Sequence, residues 1–597
     1  MIYHSSWKNT IFQYVLIVFL TVAYAFVCLR LWEVNLSQPL LYGKDYIFTT
    51  AMAKGISEGG SIFVNPNLGA PFGGVYYDFP NSDGLHIFFI TIMIWVFKNA
   101  ILSVNLYYLL GFPLTACLSY YVFRKFKLPF NISILGSMAF TFLPYHFYRL
   151  LHIFLSEYYL LPISIMLAIM AYIGKLPLYK YNIPKRSVLI HKNFWLALVA
   201  CIAIGSSGIY YAFFVIVILL FLSIRSLIQK RYNRLLSIIT LIAFIFISVL
   251  GNLAPSIVYQ WRQGPPLFSI TARAPEGSEI YGLKIIQLLI PSPIQLVGKL
   301  SSITQLYNSS APLVNENSSS SLGIIGSLGF IFSLAITLFP ILQNTIEKEL
   351  GLINIICLLL AQVGGIGTVI AYSGFTSIRA YNRISIIIGF ISILTFCLIL
   401  YRIFKILNEK YGNNRIFSIF LSGYQVLLLF IILFDQFPIW NKPDSSTIAE
   451  DQMFVNKIEE ILPLNSMIFQ LPYMGFPEEP PEYHMADYDP LKLYVLSTSL
   501  RWSYGGIKNR EAGLWYKEVA SLPTNKMLDT ISKAGFFGIV IDRNGYSDGD
   551  RNSVEAEIQK LLKITPLLSH NNRYAFYDIR RYASHHDLGC HLFRSFS

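Results

Sequence analysis

The sequence has few charged residues for its length and no cysteine pattern that could build a metal site or a disulfide framework. Of its 597 residues 13% are charged and 54% are hydrophobic, and the mean hydropathy is +0.52. This balance excludes a soluble multidomain protein of ordinary composition. Five of the six cysteines lie in apolar runs and only Cys590 lies outside them, so they read as core residues.

No nucleotide-binding fingerprint or phosphate-cradling glycine loop is present. The net charge of +13 could indicate a nucleic-acid partner. However, the Lys and Arg residues gather in short loops between apolar runs, which is typical of a protein oriented in a membrane. We therefore predict no nucleic-acid partner.

Apolar runs of about 20 residues predict membrane-spanning helices along the segment 1–435. We predict a mainly α-helical polytopic membrane protein with about eleven spans. These lie near 11–30, 103–123, 131–146, 156–174, 194–206, 208–223, 237–257, 324–343, 352–373, 384–402 and 416–435. The first run has no small-residue cleavage site after it and is predicted to be an uncleaved signal anchor.

Four strongly basic loops orient these spans, because Lys and Arg are retained on the cytoplasmic side. The loops are 124–127, 174–192, 224–234 and 402–415. All are cytoplasmic if the N-terminus is inside and the apolar segment 85–97 lies along the outer interface without crossing; a true span with a shifted register is the alternative. The outward loops are then 31–102 and 258–323, and the segment 436–597 is extracytoplasmic.

The segment 436–597 predicts a soluble α/β domain. Short strand-like runs occur in "PLNSMIFQLPY", "GFFGIVIDRNGY" and "NRYAFYDIR", and "SVEAEIQKLLKI" has the pattern of an amphipathic helix. In the middle outward loop, the low-complexity patch 307–321 is interpreted as mobile.

The first outward loop contains Asp45 in a stretch rich in glycine, proline and aromatic residues, which turns and stacked rings would hold in place. A fixed carboxylate near the membrane surface could accept the proton of an attacking hydroxyl. Alternatively, Asp45 caps a helix over "YIFTTAMAKGI" that ends at Gly55. The two roles can coexist.

Asp78, Asp83 and His86 follow in the same loop. Asp78 and Asp83 are separated by the turn residues "FPNS", and Asp83 with Asn81 could cap the next helix. The two carboxylates could instead hold Mg²⁺ or Mn²⁺. The structural role is favoured, and the metal stays unknown at this point.

A second cluster lies at the outward junction of two spans and consists of His146, Arg149, His152 and Glu157. Ionisable residues at membrane depth are costly and usually face an internal cavity, so the cluster predicts a polar chamber. Side chains that snorkel into interfacial water are the alternative.

Further basic residues on the same side could neutralise a phosphate-bearing ligand. They are Arg262, Arg273, Lys284, Arg379 and Arg383. Arg379 and Arg383 are four residues apart, so a helix starting there would present both on one face. Ordinary ion pairs with Glu276 or Glu279 are the alternative.

Three stretches follow Asp45 in order: "DGLHIFFITIMIWVF", "NLYYLLGFPLTACLSYYVFRKF" and "SILGSMAFTFLPYHFYRLLHIFLSEYYLLP". In this order they resemble the membrane half of the C-type glycosyltransferase (GT-C) superfamily. In addition, "NPNLGAPFGGVYYDFPNSDGLH", "LPYHFYRLLHIFLSEYY", "IRAYNRISI" and "IVIDRNGY" look like bacterial membrane proteins related to the YfhO-like family.

The resemblance implies a glycosyltransferase of the bacterial cytoplasmic (inner) membrane, surrounded by membrane lipids. It would transfer a sugar from a polyprenyl-phosphate donor to an envelope glycan or lipid acceptor, with inversion expected for direct attack. Asp45 would be the general base, and the donor phosphate would contact Arg149, His152, Arg273, Arg379 and Arg383. Further site candidates are Asp78, Asp83, His86, His146, Glu157 and Glu279.

The C-terminal domain would recognise the acceptor, with aromatic platforms in "PYMGFPEEPPEYHMADY" and "RWSYGG". The first loop has no Asp-X-Asp or Glu-X-Asp pair, which leaves metal dependence and the identity of the base open. A transporter or flippase for a lipid-linked glycan is the alternative function, because the Gly and Ser residues in 202–214 suit a broken helix. A scaffold for envelope assembly is a third possibility.

Overall fold

The computed structural model describes residues 7–79, 81–176, 178, 192–267, 273–296, 298–339, 345–411, 415–440 and 443–585. The architecture is mainly helical, as predicted. Most of the predicted basic loop 174–192 lies outside the described residues.

Apolar helices dominate the first 435 residues, and their buried faces share two adjoining hydrophobic clusters. The α-helices are Trp7–Cys28, Lys44–Ser57, Gly84–Phe97, Ala100–Lys125, Phe130–Thr141, Pro144–Tyr148, Ile153–Ser156, Leu161–Tyr172, Lys192–Gly205, Ile209–Ile228, Tyr232–Gln263, Gly277–Ile280, Ile285–Leu289, Gly298–Ser310, Gly323–Leu338, Ile346–Ala361, Ile366–Tyr372, Ser385–Tyr411 and Arg415–Asp435. Short 3₁₀ helices occur at Leu31–Glu33, Arg149–His152, Glu316–Ser320 and Tyr381–Ile384.

Within the described ranges, five helices are long and apolar enough to cross a membrane. They are Asn9–Cys28, Ala100–Lys125, Ile209–Ile228, Tyr232–Gln263 and Tyr381–Tyr411. Phe130–Ser156 and Leu161–Tyr172, bent by 71°, make a sixth if counted as one span. Shorter apolar helices lie at other predicted spans, so the number of about eleven stays a prediction.

Two of the predicted cytoplasmic loops meet at one end of the helical bundle. Arg225 pairs with Glu349, and Arg402 Nη2 lies 2.8 Å from the buried carboxylate of Glu347. The turn 206–208 lies at the other end of the helix Ile209–Ile228, where the Leu85 N–H donates to the Ser206 carbonyl. The glycine and serine residues there interrupt the helical structure between Lys192–Gly205 and Ile209–Ile228, at the position where the sequence predicted a break.

A five-stranded sheet is built from the C-terminal segment. Its strands are β3 (Met467–Leu471), β4 (Arg501–Trp502), β5 (Phe536–Asp542), β6 (Leu567–Leu568) and β7 (Tyr574–Asp578), and β1 (Val64–Asn65) pairs with β2 (Gly74–Val75) in the first outward loop. The order is β4-β3-β5-β7-β6, with β3 parallel to both neighbours and β7 antiparallel to both of its own. The helices around it are Ser445–Ile461, Leu491–Leu496, Glu511–Ala520, Thr524–Lys533, Asp548–Leu562 and Arg580–His585, with a 3₁₀ turn at Arg543–Gly545. The three predicted strands and the amphipathic helix are all present.

The first outward loop packs into the hydrophobic core of this sheet. Leu68 lies in the same buried cluster as Trp502 and Tyr504. The Trp502 N–H donates to the Asn67 carbonyl and the Ala70 N–H donates to the Trp502 carbonyl, so the loop covers the β4 edge. Trp502 and Tyr504 are completely buried, and the predicted sugar platform in "RWSYGG" is wrong because these rings fill the core.

The low-complexity patch 307–321 is ordered, so its interpretation as mobile is wrong. It continues the helix Gly298–Ser310 and then forms the 3₁₀ helix Glu316–Ser320. Asn317 is buried and donates from Nδ2 to the carbonyls of Gly282 (3.1 Å) and Leu313 (2.9 Å). Short polar side chains here satisfy the backbone instead of leaving it to solvent.

Candidate active site

The carboxylate of Glu316 joins three parts of the chain. Arg149 Nη1 lies 2.5 Å from Glu316 Oε2, and Arg383 Nε and Nη2 each lie 3.3 Å from its oxygens. Asn382 Nδ2 donates to Glu316 Oε1 at 3.2 Å. Sequence reasoning missed Glu316 and Asn382. The only signal for Glu316 was that it is the one carboxylate in a serine- and asparagine-rich patch.

Asp45 and His152 form the other half of the site. His152 Nδ1 hydrogen-bonds to Asp45 Oδ2, and its Nε2 lies 3.8 Å from Glu316 Oε2. The imidazole therefore stands between the two carboxylates. The Asp45 side chain is 41% exposed, so its free oxygen is open to a ligand.

The local structure around Asp45 places this carboxylate at a helix start without using it as a cap. Asp45 lies in the first turn of Lys44–Ser57, and Gly43 occupies the N-cap position with no side-chain cap. The predicted capping role is therefore wrong. The free N–H groups of a first helical turn still favour a negative charge there.

Arg149 and His152 begin and end one 3₁₀ helix, in which residues three apart lie on the same side. Arg149 is 1% exposed, stacks over the Tyr145 ring at 5.0 Å and donates from Nη2 to Asn382 Oδ1 at 2.8 Å. A guanidinium this deeply buried needs charged and polar partners. Glu316 and Asn382 supply them.

The charges of the site nearly balance. Arg149 and Arg383 contribute two positive charges and Glu316 removes one, which leaves a single positive charge beside the Asp45 carboxylate. Burial by itself would raise the pKa of Glu316, but the charges of Arg383, Arg149 and His152 together hold this pKa well below its usual range. Glu316 therefore stays ionised at neutral pH.

Two other predicted phosphate contacts lie outside this cluster. Arg273 donates from Nη1 to the Ser377 carbonyl at 2.9 Å, and its Nη2 lies 3.2 Å from Glu478 Oε1. The Arg379 guanidinium lies 5.2 Å over the Tyr281 ring.

The predicted common face of Arg379 and Arg383 is wrong, because Arg379 precedes the 3₁₀ helix Tyr381–Ile384. Glu279 accepts from the Gly364 N–H at 3.1 Å. Among the described residues, no ion pair forms between the predicted arginines and Glu276 or Glu279.

The residues of the predicted polar chamber lie in two places. Arg149 and His152 belong to the site, whereas His146 and Glu157 are buried among the helices. His146 is completely buried, stacks on Phe112 at 3.8 Å and contacts the Thr141 carbonyl. Glu157 is buried as well and faces Gly111. His146 lies in the preceding short helix Pro144–Tyr148 and Glu157 directly follows Ile153–Ser156, so neither belongs to the 3₁₀ helix that carries Arg149 and His152.

His86 also belongs to the core. Its Nδ1 lies 2.5 Å from the Tyr107 hydroxyl, and its ring stacks on Phe154 at 5.1 Å. The side chain is completely buried, so the structure separates His86 from the site.

Asp78 ties the first outward loop to the C-terminal segment. Its oxygens accept from Arg510 Nε at 2.5 Å and Nη2 at 3.1 Å, and from Gln260 Nε2 at 3.1 Å. Asp83 precedes the helix Gly84–Phe97 but makes no side-chain cap, and its N–H donates to Asn81 Oδ1. The two carboxylates therefore have different surroundings, and the Arg510 contact gives Asp78 a structural role of the kind that the sequence favoured. The described residues contain no group of three or more metal-ligating side chains.

Arg510→Met is expected to destabilise the protein by about 3–5 kcal/mol, because the buried Asp78 carboxylate would lose its bidentate partner. Thermal unfolding in detergent measures this loss. Arg551→Met is the matched control, since Arg551 pairs with the largely exposed Asp548 and such pairs contribute about 0–1 kcal/mol. Equal stability of the two variants would show that the Asp78 contact does not hold the loop.

Comparison with known proteins gives distant structural similarities, among them the following two. No protein-family model and no curated protein matches the chain. The arabinofuranosyltransferase AftD from Mycobacteria is similar over 89% of this chain, with a TM-score of 0.46 and 12% identity; the chain spans 35% of AftD, about a third of its length. ArnT from Cupriavidus metallidurans bound to undecaprenyl phosphate is similar over 96% of this chain and 98% of ArnT, with a TM-score of 0.40 and 10% identity. At these TM-scores, neither similarity assigns a substrate or a residue role to this chain.

Proposed function

We propose that the chain is an integral-membrane glycosyltransferase that transfers a sugar from a polyprenyl-phosphate donor to an envelope glycan or lipid acceptor, with inversion. The observation that carries the proposal is the meeting of Asp45 with Arg149 and Arg383 through His152 and Glu316. These residues are up to several hundred positions apart in the sequence, so it is the tertiary fold that brings them together. It supports the proposal that a base and a phosphate clamp lie side by side.

Asp45 acts as the general base. Its Oδ2 is held by His152, and among the described residues its Oδ1 has no partner, so this oxygen can take the proton of an acceptor hydroxyl. The hydroxyl oxygen then bonds to the anomeric carbon. The bond from that carbon to the phosphate oxygen breaks, and its electron pair stays on the phosphate. A single direct displacement inverts the anomeric centre.

Arg383 and His152 bind the donor phosphate. Both side chains are partly exposed, whereas Arg149 is buried behind Glu316 and holds it in place. A phosphodiester carries one negative charge, which equals the net positive charge that the two arginines and Glu316 leave. Charge-assisted hydrogen bonds to the leaving phosphate strengthen as the bond breaks.

Arg379 stays a candidate for phosphate contact from the outward loop, because its described neighbours include the Tyr281 ring but no carboxylate partner. Arg273 is occupied by Glu478 and is a weaker candidate. The active site faces the extracytoplasmic side in this proposal, and the donor enters sideways from the bilayer with its isoprenoid tail in lipid.

Purified protein in detergent, given a labelled polyprenyl-phosphate sugar and a glycan acceptor, is expected to transfer the sugar without any membrane gradient. Mass spectrometry detects the product, and NMR of the new linkage reports inversion. Donor lacking the sugar is the negative control. Movement of the donor across proteoliposomes with no product would contradict the proposal and favour a flippase.

A further inference from the structure

A segment of the C-terminal part of the chain covers the Asp45 side of the site. We call residues 473–490 the roof segment. Phe48 lies one turn after Asp45 on the same side of the helix Lys44–Ser57. The Phe48 ring stacks on Tyr488 at 5.2 Å and contacts Phe476 at 5.7 Å, so both ends of the roof segment pack beside the Asp45 turn.

The roof segment is held from a second direction. Arg273 in the middle outward loop lies 3.2 Å from Glu478 of the roof segment and donates to the Ser377 carbonyl. Ser377 lies six positions before Arg383, which contacts Glu316. The roof segment is therefore attached both to the Asp45 side and to the arginine side of the site.

Asp487 is the carboxylate that this packing brings within electrostatic range of Asp45. It directly precedes Tyr488, the residue whose ring stacks on Phe48, and its side chain is half-buried. Among the residues that the structure describes, none hydrogen-bonds to or pairs with the Asp487 carboxylate. A half-buried carboxylate without a partner beside the proposed base can accept hydrogen bonds from a ligand.

We propose that Asp487 binds the acceptor. Its carboxylate accepts a hydrogen bond from a second hydroxyl of the acceptor, while Asp45 takes the proton of the reacting hydroxyl. This proposal rests on the proposed transferase function. It identifies the acceptor as a neutral, hydroxyl-rich glycan end, because the Asp45 and Asp487 carboxylates would repel a phosphate or carboxylate placed there.

The ionisation of Asp487 makes the proposal testable by pH. Burial, and next the charge of Asp45, raises the pKa of Asp487 to about 6. Asp487 is therefore protonated below about pH 6 and ionised above it. The charged and titratable groups that face it are Asp45 and Lys44 from the first loop, Glu478, Tyr488 and Asp489 from its own segment, and Tyr504 from the turn after β4.

Asp487→Asn is expected to raise the acceptor KM about tenfold at neutral pH, with the donor KM and kcat nearly unchanged. The wild-type acceptor KM should rise as the pH falls through about 6, whereas that of Asp487→Asn should not. Glu482→Gln, an exposed carboxylate of the same segment, is the matched control. An unchanged acceptor KM in Asp487→Asn, or an equal rise in the donor KM, would overturn the proposal.

Carboxyl labelling tests the electrostatic coupling between Asp487 and Asp45 without relying on enzyme activity. Protonated carboxyl groups react with a carbodiimide and an amine, and mass spectrometry measures modification of Asp487 between about pH 4.5 and about pH 8. Half-maximal labelling is expected near pH 6 in the wild type and at lower pH in Asp45→Asn. Identical curves overturn the proposal whatever the enzyme does. If the wild type transfers no sugar, the acceptor role falls with the proposed function and only the electrostatic coupling of Asp487 to Asp45 stands.

Discussion

Asp45→Asn is expected to lower kcat for sugar transfer by about 10³-fold, because the acceptor hydroxyl would lose the group that takes its proton. Asparagine keeps the size of the side chain and an oxygen that His152 Nδ1–H can reach, so the fold should persist. Initial rates with labelled donor measure the loss. Thermal unfolding in detergent checks that the variant is intact.

Asp548→Asn is the matched control for this substitution, since Asp548 is 90% exposed and lies on a helix of the C-terminal segment away from the site. It should transfer at the wild-type rate. Undiminished turnover by Asp45→Asn would remove Asp45 from the mechanism, and equal loss in both variants would point to a general effect of the exchange.

Glu316→Gln is expected to lower the stability by about 3–5 kcal/mol, because the Arg149 and Arg383 guanidinium groups would lose the one carboxylate that pairs with both in the described part of the chain. Glutamine keeps the shape but not the charge. Denaturant or thermal unfolding of the detergent-solubilised protein measures the loss.

The pH dependence of this contribution has a defined sign. Because the folded pKa of Glu316 lies below its ordinary value of 4.5, the stabilisation is fully present above about pH 4.5 and is lost only as the pH falls toward the folded pKa. The stability difference between wild type and Glu316→Gln should therefore be constant from neutral pH down to about pH 5. A difference that already disappears in that range would mean that Glu316 is not held ionised by the arginines.

Glu279→Gln is the control for Glu316→Gln, since Glu279 contacts the Gly364 N–H and forms no ion pair with described residues. Loss of one such hydrogen bond is expected to change stability by about 1 kcal/mol. Equal losses in the two variants would contradict the view that Glu316 is the shared counter-ion of Arg149 and Arg383.

The candidate site could be predicted only in part. Asp45, Arg149, His152 and Arg383 stand out in the sequence because ionisable groups near apolar runs are costly to keep there without partners. His146 gave the same signal but is a buried ring packed on Phe112. The composition shows that a polar group is present at membrane depth. It does not show in which direction the helix points that side chain.

Glu316, Asn382 and Asp487 were missed because nothing in their own neighbourhoods marks them. Glu316 lies in a serine-rich patch that resembles a mobile linker, and Asp487 lies in a segment noted only for its aromatic residues. Their importance comes from partners 66 or more positions away in the chain. Local patterns carry no information at that distance.

The sequence by itself determined that lipid surrounds this protein, and it determined which kind of secondary structure its segments form. Long apolar runs must form helices because lipid offers no hydrogen bonds to the backbone, and alternating short runs predicted the strands of the C-terminal sheet. Only the tertiary structure decided that Glu316 neutralises two arginines, that the first outward loop shares a core with the sheet, and that Asp487 lies near Asp45. A charged side chain can be buried without a large energetic cost only when an oppositely charged or polar side chain lies next to it. Here those partners come from distant parts of the chain, so the packing of the helices and the sheet decides whether they meet.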